Sequence, residues 1–254
     1  MKPVLILQHL STDGPAYLGT WLARQGVRAD VRDTQAGDAY PESVDGFAAL
    51  AVMGGEMSAN DDLPSLRQAE RLILQAMNAN VPVIGHCLGG QLMARALGAA
   101  IGPSPAPEIG WQRMQIAASA EAADWLGADV GERRAGEPAD EIGNGLDATV
   151  FHWHAEAFAL PPGAVLLATN AACPHQAFAI GPHVAMQFHV ELDAAKLGVW
   201  SASQDATFLR LQGEFATVQS GPAMRAQAAS ALAAQQRLAD RIYGRWLSGV
   251  RPQR

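Results

Sequence analysis

The first hundred residues alternate between short apolar runs and stretches whose apolar residues recur at helical spacing. The runs predict buried strands and the stretches predict helices, with strands over residues 4–10, 48–53 and 81–84 and helices over residues 16–24, 66–77 and 88–97. Such alternation is typical of an α/β fold whose parallel strands are joined by right-handed crossovers. We therefore predict a mostly parallel open sheet with helices on both faces and a ligand site at the carboxyl ends of the strands.

The rest of the chain has a less regular pattern. Short apolar runs predict strands over residues 113–117, 165–168 and 184–188, with one arm of a hairpin over 176–180, while most of 103–147 stays unassigned. An Ala-rich segment over residues 223–247 carries large apolar residues at roughly helical spacing, which predicts a C-terminal helix with one buried face. Because one α/β domain often reaches this size, we interpret residues 1–254 as a single domain with a C-terminal helical extension over about 216–254.

The overall composition disfavours several classes of function. With 49% apolar and 17% charged residues, the chain can bury a large core and does not have the composition of a disordered protein. A formal net charge of -7 disfavours nucleic acid as a partner, since that binding depends on clustered Lys and Arg. No run approaches the roughly 18 apolar residues that span a bilayer, and no signal peptide is evident. We predict a cytoplasmic protein without a membrane partner.

One of the two cysteines occupies a position suited to nucleophilic chemistry. Gly85-His86-Cys87-Leu88-Gly89 joins a predicted strand to a predicted helix, which is the form of a nucleophile elbow with cysteine in place of serine. The glycines would let strand and helix approach closely, and free N–H groups at the helix start would stabilise an anion. An ordinary buried cysteine is the alternative, because this pentapeptide also occurs by chance. Cys173 lies in an unlike context, so both thiols are predicted to be free.

A histidine and a carboxylate follow the apolar run over residues 184–188. Strand alternation would place the side chains of His189 and Glu191 on one face. A cysteine nucleophile needs an imidazole that holds it as a thiolate and later protonates the leaving amine, and the imidazole needs an acceptor that fixes its tautomer. An isolated histidine at a strand end is more often structural, but together with Cys87 the pair predicts a catalytic triad.

Taken together, these residues resemble the class I glutamine amidotransferase family, particularly free-standing proteins similar to the glutaminase domain of GMP synthase. The resemblance covers most of the chain and implies a flavodoxin-like α/β fold. The motifs that carry it are Met53-Gly54-Gly55, Gly85-His86-Cys87-Leu88-Gly89-Gly90-Gln91, Glu108-Ile109-Gly110-Trp111, Phe151-His152-Trp153-His154, Cys173-Pro174-His175-Gln176-Ala177-Phe178 and Gln187-Phe188-His189-Val190-Glu191.

The resemblance also implies a mechanism and a set of binding residues. Cys87 would attack the side-chain amide of glutamine or another γ-glutamyl compound, release ammonia or an amine, and leave a γ-glutamyl thioester for water to hydrolyse. The oxyanion hole would be the backbone N–H groups of Leu88 and of the Gly54-Gly55 turn. No cofactor is implied. The residues implied to bind the substrate are Gln91, through its side chain, and Trp153, His154 and Ala155, mainly through their backbone.

Two departures from the family's usual sequence leave the substrate open. The family commonly shows Gly-Gly-Pro and His-Gly-Asp, where this chain has Gly55-Glu56 and His154-Ala155-Glu156. Because either change could shift selectivity away from free glutamine, a γ-glutamyl peptide hydrolase is the main alternative, and a non-catalytic binding or regulatory protein is another. A DJ-1-like peptidase or chaperone is disfavoured, since that group typically carries histidine in place of Leu88.

The other histidines indicate neither a metal nor a cofactor. His86 is predicted to pack beneath the turn, since successive strand residues face opposite sides. No nucleotide-binding glycine loop follows a strand. The chain also leaves no room for a synthetase domain, so any ammonia acceptor is expected on a separate synthetase subunit. Four histidines and one cysteine in the second half of the chain invite a zinc interpretation, but their spacing matches no common zinc pattern. These residues are His152, His154, His175, His183 and Cys173.

Overall fold

The computed structural model describes residues 2–127, 132–133 and 143–250. The described strands are β1 (Val4–Gln8), β2 (Ala29–Asp33), β3 (Ala49–Val52), β4 (Val83–His86), β5 (Ile101–Ala117), β6 (Glu132–Arg133), β7 (Gly143–Phe158), β8 (Val165–Thr169), β9 (Ala177–Ile180) and β10 (His183–Met186). The described helices are α1 (Ala16–Arg24), α2 (Pro64–Asn78), α3 (Leu88–Ala96), α4 (Ala120–Leu126), α5 (Ala194–Trp200), α6 (Ala206–Glu214) and α7 (Gly221–Ser248).

All of these strands belong to one sheet, in the order β2-β1-β3-β4-β10-β9-β8-β5-β7-β6. The strands from β2 to β10 are parallel, and every pairing from β10 to β6 is antiparallel. The predicted α/β sheet is confirmed, although its antiparallel part is larger than a mostly parallel sheet implies. The reason lies in the connections, because helices follow β1 and β3 among the parallel strands, whereas short segments without a helix join β7, β8, β9 and β10.

Helices cover both faces of the parallel strands, as predicted. Alternate residues of β1 point to opposite faces, so Val4 and Ile6 join one apolar cluster while Leu5 and Leu7 join another. Helices α1, α4 and α7 pack on the first cluster, and α2 and α3 pack on the second. A third cluster lies beside β5 and β7 and includes apolar residues of α5, α6 and the start of α7.

The C-terminal helix α7 confirms the predicted segment over residues 223–247. It begins after Ser220, whose hydroxyl accepts a hydrogen bond from the N–H of Ala223, and Leu238, Ile242 and Trp246 are buried against the sheet. The last four residues of the predicted extension lie outside the described part of the chain. Among the described helices, none is both long and apolar enough to cross a membrane.

Candidate active site

The predicted elbow lies between β4 and α3, next to the strand that carries the histidine. Cys87 has φ +47° and ψ -108°, a backbone conformation that residues with a side chain rarely adopt. Its N–H donates to the carbonyl of Met186 at 2.8 Å, which ties the turn to β10. Cys87 is 6% exposed as a residue, and its Sγ lies 3.7 Å from the carbonyl oxygen of Trp153.

Gly85 and Gly89 of the elbow, and Gly90 directly after it, are in close contact with the neighbouring backbone. A β-carbon on Gly85 would lie 2.6 Å from the backbone of Gly89, and one on Gly89 would lie 2.1 Å from the carbonyl oxygen of Val52. A β-carbon on Gly90 would lie 2.7 Å from the carbonyl oxygen of Met186. The absence of side chains therefore allows α3 to approach β3, β4 and β10, and this approach positions the thiol.

Gly89→Ala is expected to lower the free energy of unfolding by about 3 kcal/mol or more, because the added methyl group overlaps backbone that cannot rotate away. Urea unfolding followed by circular dichroism measures this change. Gly244→Ala is the matched control: this glycine lies in the interior of α7 with nothing within 4 Å of its added β-carbon, so alanine should raise stability by up to about 1 kcal/mol. Equal stabilities of the two variants would contradict the close approach.

His189 and Glu191 come together in a turn and not by strand alternation. Strand β10 ends at Met186, two residues before the predicted end, and the chain turns at His189, whose carbonyl accepts a hydrogen bond from Leu192. The turn brings Nδ1 of His189 to 2.7 Å from Oε1 of Glu191. The predicted pairing is therefore present, but its geometry comes from the turn that follows the strand.

The electrostatics of this pair favour an imidazolium beside a carboxylate. Burial alone lowers the pKa of His189, but the charges of Glu191 and Cys87 outweigh it and raise that pKa to about 10. Burial alone raises the pKa of Glu191, but His189 and Lys196 outweigh it and hold that pKa well below its ordinary range. Among the described residues, Nε2 of His189 makes no hydrogen bond of regular geometry, so this nitrogen is available to the thiol.

The Gly54-Gly55 turn lies against both the start of α3 and the imidazole. A β-carbon on Gly55 would lie 2.9 Å from the side chain of Leu88, and one on Gly54 would lie 3.1 Å from Cε1 of His189. The first hydrogen bond inside α3 runs from the N–H of Gln91 to the carbonyl of Cys87. The preceding N–H groups of this helix therefore have no helical acceptor and can stabilise an anion beside the thiol.

A cavity of about 380 Å³ opens over the thiol. Its walls include many of the residues predicted to contact substrate, namely Gly55, Gln91, Trp153, His154 and Ala155, together with Cys87. Gly54 and Leu88 are not among the residues that line the cavity. The segment of β7 that carries Trp153 to Ala155 thus lines the same cavity as Cys87.

The side chain of Gln91 is buried and is held by hydrogen bonds to other parts of the protein. Its Nε2 donates to the carbonyl of Glu156 at 3.0 Å, and Nε2 of Gln187 donates to the same carbonyl at 3.2 Å. The carboxylate of Glu156 in turn accepts a hydrogen bond from the hydroxyl of Ser58 at 2.8 Å. These contacts join the loop after β3 to β7 and fix the wall of the cavity.

Helix α6 and the preceding loop form a wall that no sequence motif indicated. Phe208 lies 5.1 Å from the ring of Trp153, and Trp200 packs edge to face on His189 at 4.8 Å. Both distances are between ring centroids. The residues of this segment that line the cavity are Asp205, Thr207, Phe208 and Leu211.

Helix α7 contributes a buried glutamine, Gln235, that links β7 to the turn containing His189. Oε1 of Gln235 accepts a hydrogen bond from the N–H of Phe151 at 2.6 Å, and its Nε2 donates to the carbonyl of His189 at 3.1 Å. Because Gln235 lies in an Ala-rich helix far along the chain, no local pattern marked it as part of the site.

Glu108, His152 and His154 form a buried cluster whose possible ligand atoms all lie within 4.8 Å of one another. Each carboxylate oxygen of Glu108 already accepts a hydrogen bond at 2.6 Å, one from Asn170 and one from Gln176. Burial alone raises the pKa of Glu108, but the two histidines and Asn170 outweigh it and lower that pKa to about 2. This bonding is typical of a structural network, and it joins β5 to the segment between β8 and β9.

His86, the residue before Cys87, is not one of the residues that line the cavity. Nε2 of His86 is 3.4 Å from the hydroxyl of Tyr243 on α7, and burial lowers the pKa of this imidazole. The side chain is fully buried. Its position agrees with the predicted packing beneath the turn.

An α/β sheet with a cysteine elbow, a neighbouring His–Glu pair and a cavity above the thiol defines a class of protein, the class I glutamine amidotransferases. The sequence profile of glutamine amidotransferase class-I matches residues 20–199, and the chain belongs to this family. This confirms the predicted resemblance and, with it, the predicted fold class.

Individual relatives are similar to the chain over most of its length. The solved structure of a glutamine amido transferase from Methylobacillus flagellatus has a TM-score of 0.87 and 32% identity, covering 100% of this chain and 97% of that one. The glutamine amidotransferase-like protein YfeJ of Salmonella typhimurium is 34% identical over 198 residues, which are 75% of this chain and 76% of YfeJ. A glutamine-hydrolysing GMP synthase subunit of Thermoplasma acidophilum is 25% identical over 166 residues, which are 63% of this chain and 72% of that protein.

Proposed function

We propose that this protein hydrolyses the side-chain amide of glutamine through a γ-glutamyl thioester on Cys87. The observation that carries the proposal is the strained elbow that presents the thiol to a cavity, beside an imidazole held by Glu191 at 2.7 Å. Family membership supports amide hydrolysis in general, and the three side chains supply the nucleophile, the proton carrier and its acceptor.

In the first half of the reaction, the thiolate of Cys87 attacks the amide carbon and forms a tetrahedral oxyanion. The backbone N–H groups of Leu88 and of the Gly54-Gly55 turn would stabilise this oxyanion. Nε2 of His189 then donates its proton to the leaving nitrogen, the C–N bond breaks, and ammonia departs.

In the second half, a water molecule attacks the thioester while Nε2 of His189 accepts its proton. The C–S bond breaks, which returns the thiolate of Cys87 and releases glutamate. Throughout, the carboxylate of Glu191 accepts the hydrogen bond from Nδ1 of His189 and so fixes the orientation of the ring. No step of this mechanism uses a metal or a cofactor.

A second candidate function is hydrolysis of γ-glutamyl peptides or other γ-glutamyl amines. It is favoured by the cavity lining, in which Glu56, Glu156 and Asp205, with neither lysine nor arginine in the described part of the chain, suit a positively charged substituent on the amide nitrogen. A volume of about 380 Å³ falls within the usual range for small-molecule sites, roughly 300–1,000 Å³. The cavity therefore has room for a substituent on the amide nitrogen.

Incubation with L-glutamine and with a panel of γ-glutamyl dipeptides, with ammonia, free amine and glutamate measured, separates the two candidates. Ammonia from glutamine supports the glutaminase, and turnover of the dipeptides alone supports the peptide hydrolase. If no γ-glutamyl compound is hydrolysed and Cys87→Ser behaves like the wild type, the enzymatic proposal is wrong.

We propose that ammonia released at Cys87 is transferred to an acceptor site on a separate synthetase subunit. The relative from Thermoplasma acidophilum is named as one subunit of GMP synthase, and we extend that arrangement to this chain as a proposal. A separate synthetase subunit would dock near the mouth of the cavity over Cys87.

A further inference from the structure

A buried lysine lies directly behind the His189–Glu191 pair. The side chain of Lys196, in the first turn of α5, is 4% exposed, and its Nζ lies 3.6 Å from Oε1 of Glu191 and 2.5 Å from Oδ1 of Asp13. Burial alone lowers the pKa of this ammonium, but the two carboxylates outweigh it and raise that pKa. Lys196 is therefore a buried cation shared between two carboxylates.

The second carboxylate, Asp13, lies beside Gly54, as does the imidazole of His189. It belongs to the loop between β1 and α1 and is 6% exposed. A β-carbon placed on Gly54 would lie 2.8 Å from Oδ2 of Asp13 and 3.1 Å from Cε1 of His189. Asp13 and the imidazole therefore both lie against Gly54, while Nδ1 of His189 is paired with Glu191.

A tryptophan ring covers the same group of charges. Nζ of Lys196 lies 5.1 Å from the centroid of the Trp200 ring, and His189 packs against that ring at a right angle. The ring keeps water away from the ammonium and the imidazole, so the charges in this layer act on one another strongly.

We propose that Lys196 and Asp13 are positioning residues for the reaction, an inference that rests on the hydrolase function proposed above. Lys196 balances the charges of Asp13 and Glu191 and holds Asp13 beside the Gly54-Gly55 turn, while Glu191 accepts the hydrogen bond from Nδ1 of His189. The charges then alternate in the order Asp13, Lys196, Glu191, His189, Cys87, with each ion beside one of opposite sign.

The arrangement predicts opposite effects when either member of the pair is removed. Without Lys196, Glu191 loses the neighbouring cation that offsets part of its charge, so this carboxylate holds the proton of His189 more tightly. Without Asp13, Lys196 pairs with Glu191 alone and weakens the hold of that carboxylate on the imidazole. The other titratable groups that act on the pair are Cys87 at the elbow, His86 at the end of β4, His152 on β7 and Tyr243 on α7.

The test compares Lys196→Met, Asp13→Asn and the double variant, in which the charge removed from one partner balances the other. Each single variant should lower kcat by about 10- to 100-fold with little change in KM, since a small misplacement of the reacting groups has this effect. The alkaline limb of the pH–rate profile should move to higher pH in Lys196→Met and to lower pH in Asp13→Asn. The double variant should return towards the wild-type profile. Lys2→Met, which removes an exposed ammonium, is the control and should change nothing.

A second measurement does not need the substrate. The rate at which iodoacetamide alkylates Cys87, followed by intact mass across pH, should show the same opposite shifts. If the wild type hydrolyses no γ-glutamyl compound, these alkylation profiles still decide the proposal separately from the proposed function. Wild-type kcat and wild-type profiles in both single variants would overturn it, as would shifts in one common direction. If Lys196→Met does not fold, Asp13→Asn and the double variant give the decision.

Discussion

Cys87→Ser is expected to lower kcat for γ-glutamyl amide hydrolysis by about 10⁴-fold or more while the fold stays intact. A serine hydroxyl does not ionise beside an imidazolium as a thiol does, so the variant has no nucleophile ready for attack. The small change in volume leaves the elbow and its glycine contacts in place. Steady-state release of ammonia or amine measures the loss, and circular dichroism verifies the fold.

Cys173→Ser is the matched control for this experiment. Burial raises the pKa of the Cys173 thiol to about 12, and its Sγ lies 3.5 Å from the carbonyl of His175, so this cysteine should remain a neutral thiol. The control variant should keep its activity within a few-fold. A γ-glutamyl chloroketone should add mass to the wild type and to Cys173→Ser but not to Cys87→Ser. Labelling at Cys173, or activity that survives in Cys87→Ser, would contradict the assigned nucleophile.

Glu191→Gln is expected to lower kcat/KM by about 10²- to 10⁴-fold. The amide keeps the size of the side chain but removes the anion that orients Nδ1 of His189 and stabilises its imidazolium. Because burial alone lowers the pKa of His189, that pKa should fall from about 10 once the anion is gone. The wild type keeps its imidazolium until the pH rises through about 10, whereas the variant should lose it at lower pH.

The pH dependence of kcat/KM and of Cys87 alkylation measures this shift. The same pKa shift affects the free energy of unfolding. Because the pKa of His189 in the folded state lies above its ordinary value, protonation of His189 stabilises the folded protein at low pH. That contribution is lost as the pH rises towards 10, and the loss should occur earlier in the variant. Glu214→Gln, on the exposed surface of α6, is the control and should keep the wild-type profile. An unchanged alkaline limb in Glu191→Gln would remove Glu191 from its assigned role.

Local patterns in the sequence predicted the parallel half of the sheet well. Helix α1 has the predicted bounds, and β1, β3, β4, α2 and α3 lie within a few residues of theirs. Strand β2 was missed because its residues are exposed or only partly buried and include three charged side chains, so it shows no apolar run. Most of β5 was missed because its first half contains a glycine and three prolines, which argue against a strand when tertiary contacts are unknown.

The candidate site was likewise predicted only in part from the sequence. The pairing of His189 with Glu191 was predicted from spacing, but a turn produces it, since β10 ends at Met186. Gln91, which the resemblance implies as a substrate-binding residue, lies in the cavity wall, and the sequence did not indicate that its amide donates to the carbonyl of Glu156. Glycine spacing and residue order are local properties, so they can indicate an elbow but not the partners of a side chain.

The sequence by itself therefore determined the candidate position of a nucleophile. The glycines around Cys87 and the apolar run before it form the strand–turn–helix through local contacts, so the sequence pattern alone indicates them. Only the tertiary structure decided what surrounds that nucleophile. Asp13, Lys196, Phe208 and Gln235 come from different segments and reach the site through packing of the loop after β1, α5, α6 and α7. Their contacts depend on how helices and sheet pack together, which no periodicity along the chain encodes.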